Sequence, residues 1–214
     1  MGPTACQLIE QKCAIILPMP RKYEQTRRAA QQEETRRRIV EAAVALHALQ
    51  GPSRTTMSAV AERAGVQRNT LYRHFPDERA LVHACSEHFF AENPMPSVEG
   101  WDLIAEPVDR LRHGLGALYA FWEANEDMSS NVVRDAEVDP LIQEVSELRS
   151  GAPRAAIRAA LLDAWPDGRR SPDLEAALDL ALSFRTWRSL VRGSGLTTPA
   201  AADLMARMVT CASG

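Results

Sequence analysis

The chain has 214 residues, enough to bury a core as one domain or two, and it is rich in Ala, Leu and Arg with few aromatics. Its formal net charge is −3, but residues 1–90 carry 13 Lys/Arg against 9 Asp/Glu, while residues 91–214 carry 12 against 19. A basic first part and an acidic second part suit a protein whose first part approaches phosphate and whose second part stays away from it. Strand-like alternation of β-branched residues is nearly absent, so the composition predicts an all-α protein. The four cysteines, Cys6, Cys13, Cys85 and Cys211, show no C-x-x-C spacing. That argues against a disulfide framework and reads as reduced thiols in a cytosol.

Residues 1–20 contain Pro3, Pro18 and Pro20 without periodicity and are expected to be a disordered leader. The apolar run at residues 14–17 is too short for a membrane span or a signal peptide. A basic stretch follows, with Arg21, Lys22, Arg27, Arg28, Arg36, Arg37 and Arg38. It reads either as a solvated helix face or as an arm that crosses phosphate, and the second reading is favoured because it runs directly into the segment described next. Ile39, Ala42, Ala43, Leu46 and Leu49 form an apolar stripe at helical spacing, stopped by Gly51 and Pro52.

Residues 55–75 read as two short helices joined by a tight turn. Thr56 is placed as an N-cap, and Met57, Val60, Ala61 and Ala64 make one apolar face. Gly65 ends the first helix, and Val66 is placed to pack under the turn. Leu71 and Phe75 face inward from the second helix. Its other face shows Gln67, Arg68, Asn69, Thr70, Tyr72, Arg73 and His74, a set of hydrogen-bonding side chains without an acid. Arg can fork onto guanine, Asn and Gln onto adenine, and Thr can meet a thymine methyl or a phosphate. Arg68 and Asn69 are expected to face bases, and Tyr72 and His74 phosphates. A fourth helix opens at Pro76 and Asp77 and buries Leu81, Val82, Cys85 and Phe89. His83, Cys85 and His88 lie close in it, but no further ligand completes a metal site, and no metal or other cofactor is expected.

The run AERAGVQRNTLYRHFPDERALV resembles the signature of the tetracycline-repressor (TetR) family of bacterial regulators, through Ala61, Ala64, Gly65, Val66, Thr70, Leu71, Tyr72, His74, Phe75 and Leu81. The resemblance covers roughly residues 33–90 and implies a three-helix helix–turn–helix domain that binds double-stranded operator DNA. One position departs: Glu78 stands where the family usually has a phosphate-binding Lys. Arg79 is a candidate substitute, although it projects about 100° away around the helix.

The expected division is a disordered or arm segment over residues 1–30, a DNA-binding domain over 31–92 and a ligand-binding and dimerisation domain over 93–214. Asn93, Pro94, Met95, Pro96 and Ser97 form the break. Helices are predicted near 104–125, 128–149, 152–164, 173–192 and 199–212. Pro140 interrupts the second, while Pro153, Pro172 and Pro199 each open a helix. Asp135, Glu137 and Asp139 read as a solvated corner. No phosphate loop, G-x-S-x-G or H-E-x-x-H pattern points to an enzyme. The resemblance implies instead that the second domain encloses a small apolar or aromatic effector and that its last two helices pair with a twin subunit. The candidate cavity residues are Leu115, Leu118, Tyr119, Trp122, Phe184 and Trp187, with His113, Asp135 and Arg188 as polar contacts. Leu174, Ala177, Leu178, Ala181, Leu182 and Leu190, with Leu204, Met205 and Met208, are the candidate dimer stripes. The resulting reading is a homodimeric, ligand-responsive regulator, most simply a repressor. The alternative is a helical ligand-binding module or enzyme with a vestigial helix–turn–helix, which Glu78 alone supports.

Overall fold

The computed structural model describes residues 21–212, with side chains from residue 25 onward. The leader, its prolines, Cys6 and Cys13 lie outside the described residues, as do the side chains of Arg21 and Lys22. Residues 37–214 group into one compact unit, and residues up to Arg36 cluster separately. In that first cluster Arg27, Arg28 and Arg36 lie on an exposed stretch of helix. Every regular element among the described residues is helical.

Four helices share the first core: α1 (Arg21–Gln50) through its residues beyond 36, α2 (Met57–Arg63), α3 (Arg68–His74) and α4 (Glu78–Glu92). Ile39, Ala43, Val60, Leu71, Phe75 and Leu81 fill it. Each apolar stripe finds its partner here, which is where most of the stability of such short helices comes from. Leu49, expected on the buried stripe, is exposed, whereas the neighbouring His47 is buried.

The turn between α2 and α3 is closed from both sides. The Thr56 hydroxyl accepts the Ala59 N–H at 3.2 Å and caps the start of α2. At its end Gly65 has φ +64°. The Gly65 N–H donates to the Glu62 carbonyl at 3.0 Å, and the Val66 N–H to the Ala61 carbonyl at 2.9 Å, the paired bonds of a left-handed helix stop. The Arg38 guanidinium reaches over from α1 and donates to the carbonyls of Ala64 and Gly65. Arg38 therefore braces the turn, and Arg37 pairs with Glu41. Neither belongs to a free basic arm.

A second core is built from α5 (Pro107–Ala124), α6 (Glu126–Asp135), α7 (Pro140–Leu162), α8 (Pro172–Ala181), α9 (Phe184–Arg188), a π-helical turn (Ser189–Gly193) and α10 (Thr198–Cys211). Leu111, Leu115, Leu118, Tyr119, Leu161 and Trp187 are almost wholly buried in it. The expected helices at 128–149 and 152–164 are replaced by α6 and α7. Pro140 opens α7, whereas Pro153 lies inside that helix rather than starting one. The expected helix at 173–192 is also broken. The buried Tyr119 hydroxyl donates to the Ala181 carbonyl at 2.8 Å, at the point where α8 gives way to α9.

The candidate dimer stripes change accordingly. Leu174, Leu178, Ala181 and Met205 are buried within this chain's own core. Leu182, Leu190 and Leu204 are half-buried, and Met208 is exposed. An arginine at position 181 would break the monomer's core before it tested any subunit contact.

Gly65 gives a direct test of the turn. A Cβ at φ +64° is strained, since L-residues lose about 1–2 kcal/mol in the left-handed region. Gly65→Ala is expected to lower the unfolding free energy by about that amount, read as a shift of the urea midpoint at unchanged slope.

Candidate nucleic-acid interface and effector cavity

With Leu71 and Phe75 anchored in the core, α3 is fixed in rotation, and its opposite face is presented to solvent. Gln67, Arg68, Asn69, Tyr72 and Arg73 are exposed, while Thr70 and His74 are half-buried. Thr56 is exposed at the start of α2, and Arg54 and Arg63 flank the same segment as further exposed cations. No carboxylate lies on α3 itself. The sequence-predicted DNA residues thus come together on one helix–turn–helix. Arg79 is committed elsewhere: it pairs with Glu144 of α7 at 2.6 Å. It is therefore not a ready substitute for the cation missing at Glu78.

A knot of polar groups joins this module to the second core. Asn131 of α6 donates from its amide to the carbonyls of His47 and Ala48, at 3.2 and 2.7 Å. The Arg134 guanidinium donates to the Gln50 carbonyl at 2.9 Å and to the Asn131 side-chain oxygen at 2.8 Å. The carbonyls of Ala48 and Gln50 at the end of α1 are thereby satisfied, and that of His47 also accepts the Gly51 N–H at 2.9 Å. Asp135 is buried, receives Arg134 at 2.8 Å and accepts the Ser53 backbone N–H at 3.0 Å. The Ser53 hydroxyl donates to Asp139 at 2.9 Å, and Asp139 also caps the start of α7. Gly51, at φ +99°, leaves space that a Cβ would take from Arg134 and Asp135. Of the corner that reads from sequence as solvated acids, Asp135 is buried in the junction and Asp139 half-buried, while Glu137 is exposed. Glu137 of that trio pairs with Arg185. At the other end of α6, Arg192 holds Glu126 with two short bonds, at 2.6 and 2.9 Å. This pair keeps the Glu126 carboxyl below its ordinary range, against a smaller opposing effect of burial.

Beside this junction lies a cavity of about 300 Å³. α1 contributes Val44 and His47, and α4 contributes Val82, Cys85, Ser86, Phe89 and Phe90. Phe121, Trp122, Met128, Val132, Ile142, Val145 and Phe184 close it from the second core. Of the sequence-predicted cavity residues, Trp122 and Phe184 line it, with ring centroids 5.7 Å apart. Leu115, Leu118, Tyr119 and Trp187 belong to the solid core beyond. His113 is exposed and packs edge-on to Trp101, Arg188 is exposed, and Asp135 serves the junction. Sequence reasoning missed His47, Phe89, Phe90, Asn131 and Arg134. The one local signal was a pair of adjacent phenylalanines, of which a helix can bury only one in a single narrow stripe.

His47 is the buried titratable group here. Burial pushes its imidazole down to about 4, against a smaller upward pull from Asp135. It is therefore neutral at pH 7.

Comparison with known proteins agrees with this architecture. Residues 39–85 match the family model described as bacterial regulatory proteins, tetR family. The transcriptional repressor KstR of Mycobacterium tuberculosis is 32% identical over 126 residues, 55% of this chain and 56% of that protein. KstR of Mycolicibacterium smegmatis is 44% identical over 107 residues, 48% and 50% of the two chains. The regulator SrpR of Pseudomonas putida is 41% identical over 56 residues, 26% of each. The chain thus spans about a quarter to about a half of the length of these curated relatives. The fold of a tetR-family regulator from Streptomyces coelicolor superposes with a TM-score of 0.60 at 17% identity, covering 84% of this chain and 80% of that one. The hemolysin II regulator HlyIIR gives the same TM-score at 14% identity, covering 84% and 97%. The fold is shared with these regulators, and α3 presents an exposed polar face within a helix–turn–helix. Residues 39–85 are thus similar to the helix–turn–helix segment of TetR-family regulators.

The neutral state of His47 has a consequence for stability. An unfolded histidine titrates at 6.5 and the folded one at about 4, so the unfolded chain binds the extra proton between these values. The stabilisation is present in full above pH 6.5 and is lost as pH falls through 4. Urea unfolding is expected to show a loss of up to about 3 kcal/mol from this group over that window, and His47→Leu to flatten that part of the profile.

Proposed function

We propose that the protein is a cytoplasmic, ligand-responsive repressor that binds a palindromic operator as a homodimer and leaves it when a small, mainly apolar effector fills the cavity. The observation that carries this reading is the shared wall. Two helices of the DNA-binding module, α1 and α4, line the same cavity as the helices of the second core. An effector that prefers one packing of those walls biases the placement of α3, because it has different contacts in the two arrangements. The junction at Asn131, Arg134 and Asp135 supports this by tying α6 to the end of α1.

In this reading Arg68 and Asn69 meet base edges, while Tyr72, Arg73 and Thr56 meet the backbone. Two copies of α3 in a dimer match half-sites about 34–36 Å apart. Mobility-shift titration on palindromes selected from random DNA tests it. Arg68→Ala is expected to cost about 1–3 kcal/mol and to relax preference at one position of each half-site, whereas Arg73→Ala weakens all sequences alike and lowers the salt slope by about one. Equal weakening of all sequences by Arg68→Ala would make Arg68 a phosphate contact.

The surface left for a twin lies on the outer sides of α8 and α10. Leu180 is 54% and Met208 50% exposed. Ala200, Leu204 and Met208 recur four residues apart along α10, and α8 packs beside it. Pairing these faces about a two-fold axis makes a four-helix interface. The double variant Leu180→Glu/Met208→Glu leaves the monomer core untouched. It is expected to sediment as a monomer with an unchanged circular dichroism spectrum and weak operator binding, and an intact dimer would place the interface elsewhere.

A further inference from the structure

The cavity wall holds a buried polar side chain with no visible partner. His47 is only 6% exposed and lines the cavity, yet no group among the described residues hydrogen-bonds its imidazole; its backbone carbonyl accepts from Asn131 and from the Gly51 N–H. Its ring nitrogens are thus left to hydrogen-bond with whatever occupies the cavity, since nearly all polar groups inside folded proteins are satisfied. The charges around it are already spoken for. Arg154 and Arg185, the two cations in the wall, pair with Glu147 and Glu137. No carboxylate lines the cavity among the described residues. Asp135, the carboxylate that acts on His47, is likewise paired, with Arg134.

We propose that the cavity takes an uncharged, mainly apolar molecule bearing a hydroxyl or carbonyl group, and that the His47 imidazole hydrogen-bonds that group. The proposal rests on the reading of the cavity as the effector site. A neutral imidazole offers one donor and one acceptor, so it serves a hydroxyl in either sense and a carbonyl through its N–H. A carboxylate in the same place finds no cation in the wall that is not already paired, and a cation finds no acid there. The rest of the lining, including Phe89, Phe121, Trp122 and Ile142, receives the apolar body. Because His47 stands on α1, this one hydrogen bond puts the ligand in direct contact with the DNA-binding module.

The test uses the full chain and four probes with the same flexible body: decan-1-ol, decan-2-one, decanoate and decyltrimethylammonium. Binding is read from tryptophan emission, since Trp122 lines the cavity, and from the shift in melting temperature. The alcohol and the ketone are expected to bind about tenfold or more tightly than either ion. His47→Leu keeps the wall apolar and is expected to weaken the alcohol and ketone by roughly three- to tenfold while leaving the ions unchanged. His47→Gln, which keeps a donor and an acceptor, is expected to recover part of the loss. Decanoate binding most tightly, or the alcohol binding equally to wild type and His47→Leu, overturns the proposal while leaving the cavity as a ligand site. Failure of all four probes to bind the folded wild-type chain overturns the proposal together with the reading of the cavity.

Discussion

The buried carboxylate of Asp135 is the constraint on which the join between the two cores depends. An ionised acid removed from water costs several kcal/mol unless its oxygens are met by donors. Here the Arg134 guanidinium and the Ser53 backbone N–H meet it, and each of those groups is fixed by something else. Arg134 also closes the end of α1 through Gln50, Asn131 closes it through His47 and Ala48, and Ser53 reaches on to Asp139 at the start of α7. Three helices and a short 3-10 turn at Pro52–Arg54 are thus set by one network. Gly51 provides the room for it: the network occupies the volume a side chain would need.

That network also explains why α6, a helix of only ten residues, is well placed. Its first turn is held to the π-helical turn by Glu126 and Arg192, and its last turn to α1 by Asn131 and Arg134. Between these ends Met128 and Val132 face the cavity. A helix pinned at both ends by polar contacts and packed along its middle against a partly hollow wall is suited to hold two discrete arrangements. The helix–turn–helix is held by contacts of its own. The paired backbone bonds at Gly65, the guanidinium of Arg38 and the buried Leu71 and Phe75 leave α3 little freedom to rotate independently of α1 and α4.

The all-α class was readable from periodicity, and the helix–turn–helix was readable residue by residue, because each of its signals is local. Thr56 caps the helix that begins next to it, Gly65 ends the helix that precedes it, and Leu71 and Phe75 share a face four residues apart. Backbone geometry within a few residues dictates these features, so chemistry written in the sequence at that range suffices.

The cavity and the junction were not legible, because they depend on residues far apart in the chain. Periodicity places Leu115, Tyr119 and Trp187 on buried faces but cannot tell a face against a solid core from one against a hollow, and these three lie in the solid part. Likewise the apolar positions of α8 and α10 serve either an internal or an intersubunit seam, and only their packing against α5 and α7 assigned Leu174, Leu178 and Met205 to the interior. Asp135 among neighbouring acids reads as a solvated corner until Ser53, 82 residues earlier, is brought against it. The sequence by itself determined the helical class, the polar face of α3 and the segment that resembles TetR-family regulators. Tertiary structure alone decided which apolar faces meet, where they leave a space, and that a histidine ends up buried at its edge, since burial is a property of the packing and not of any stretch of chain.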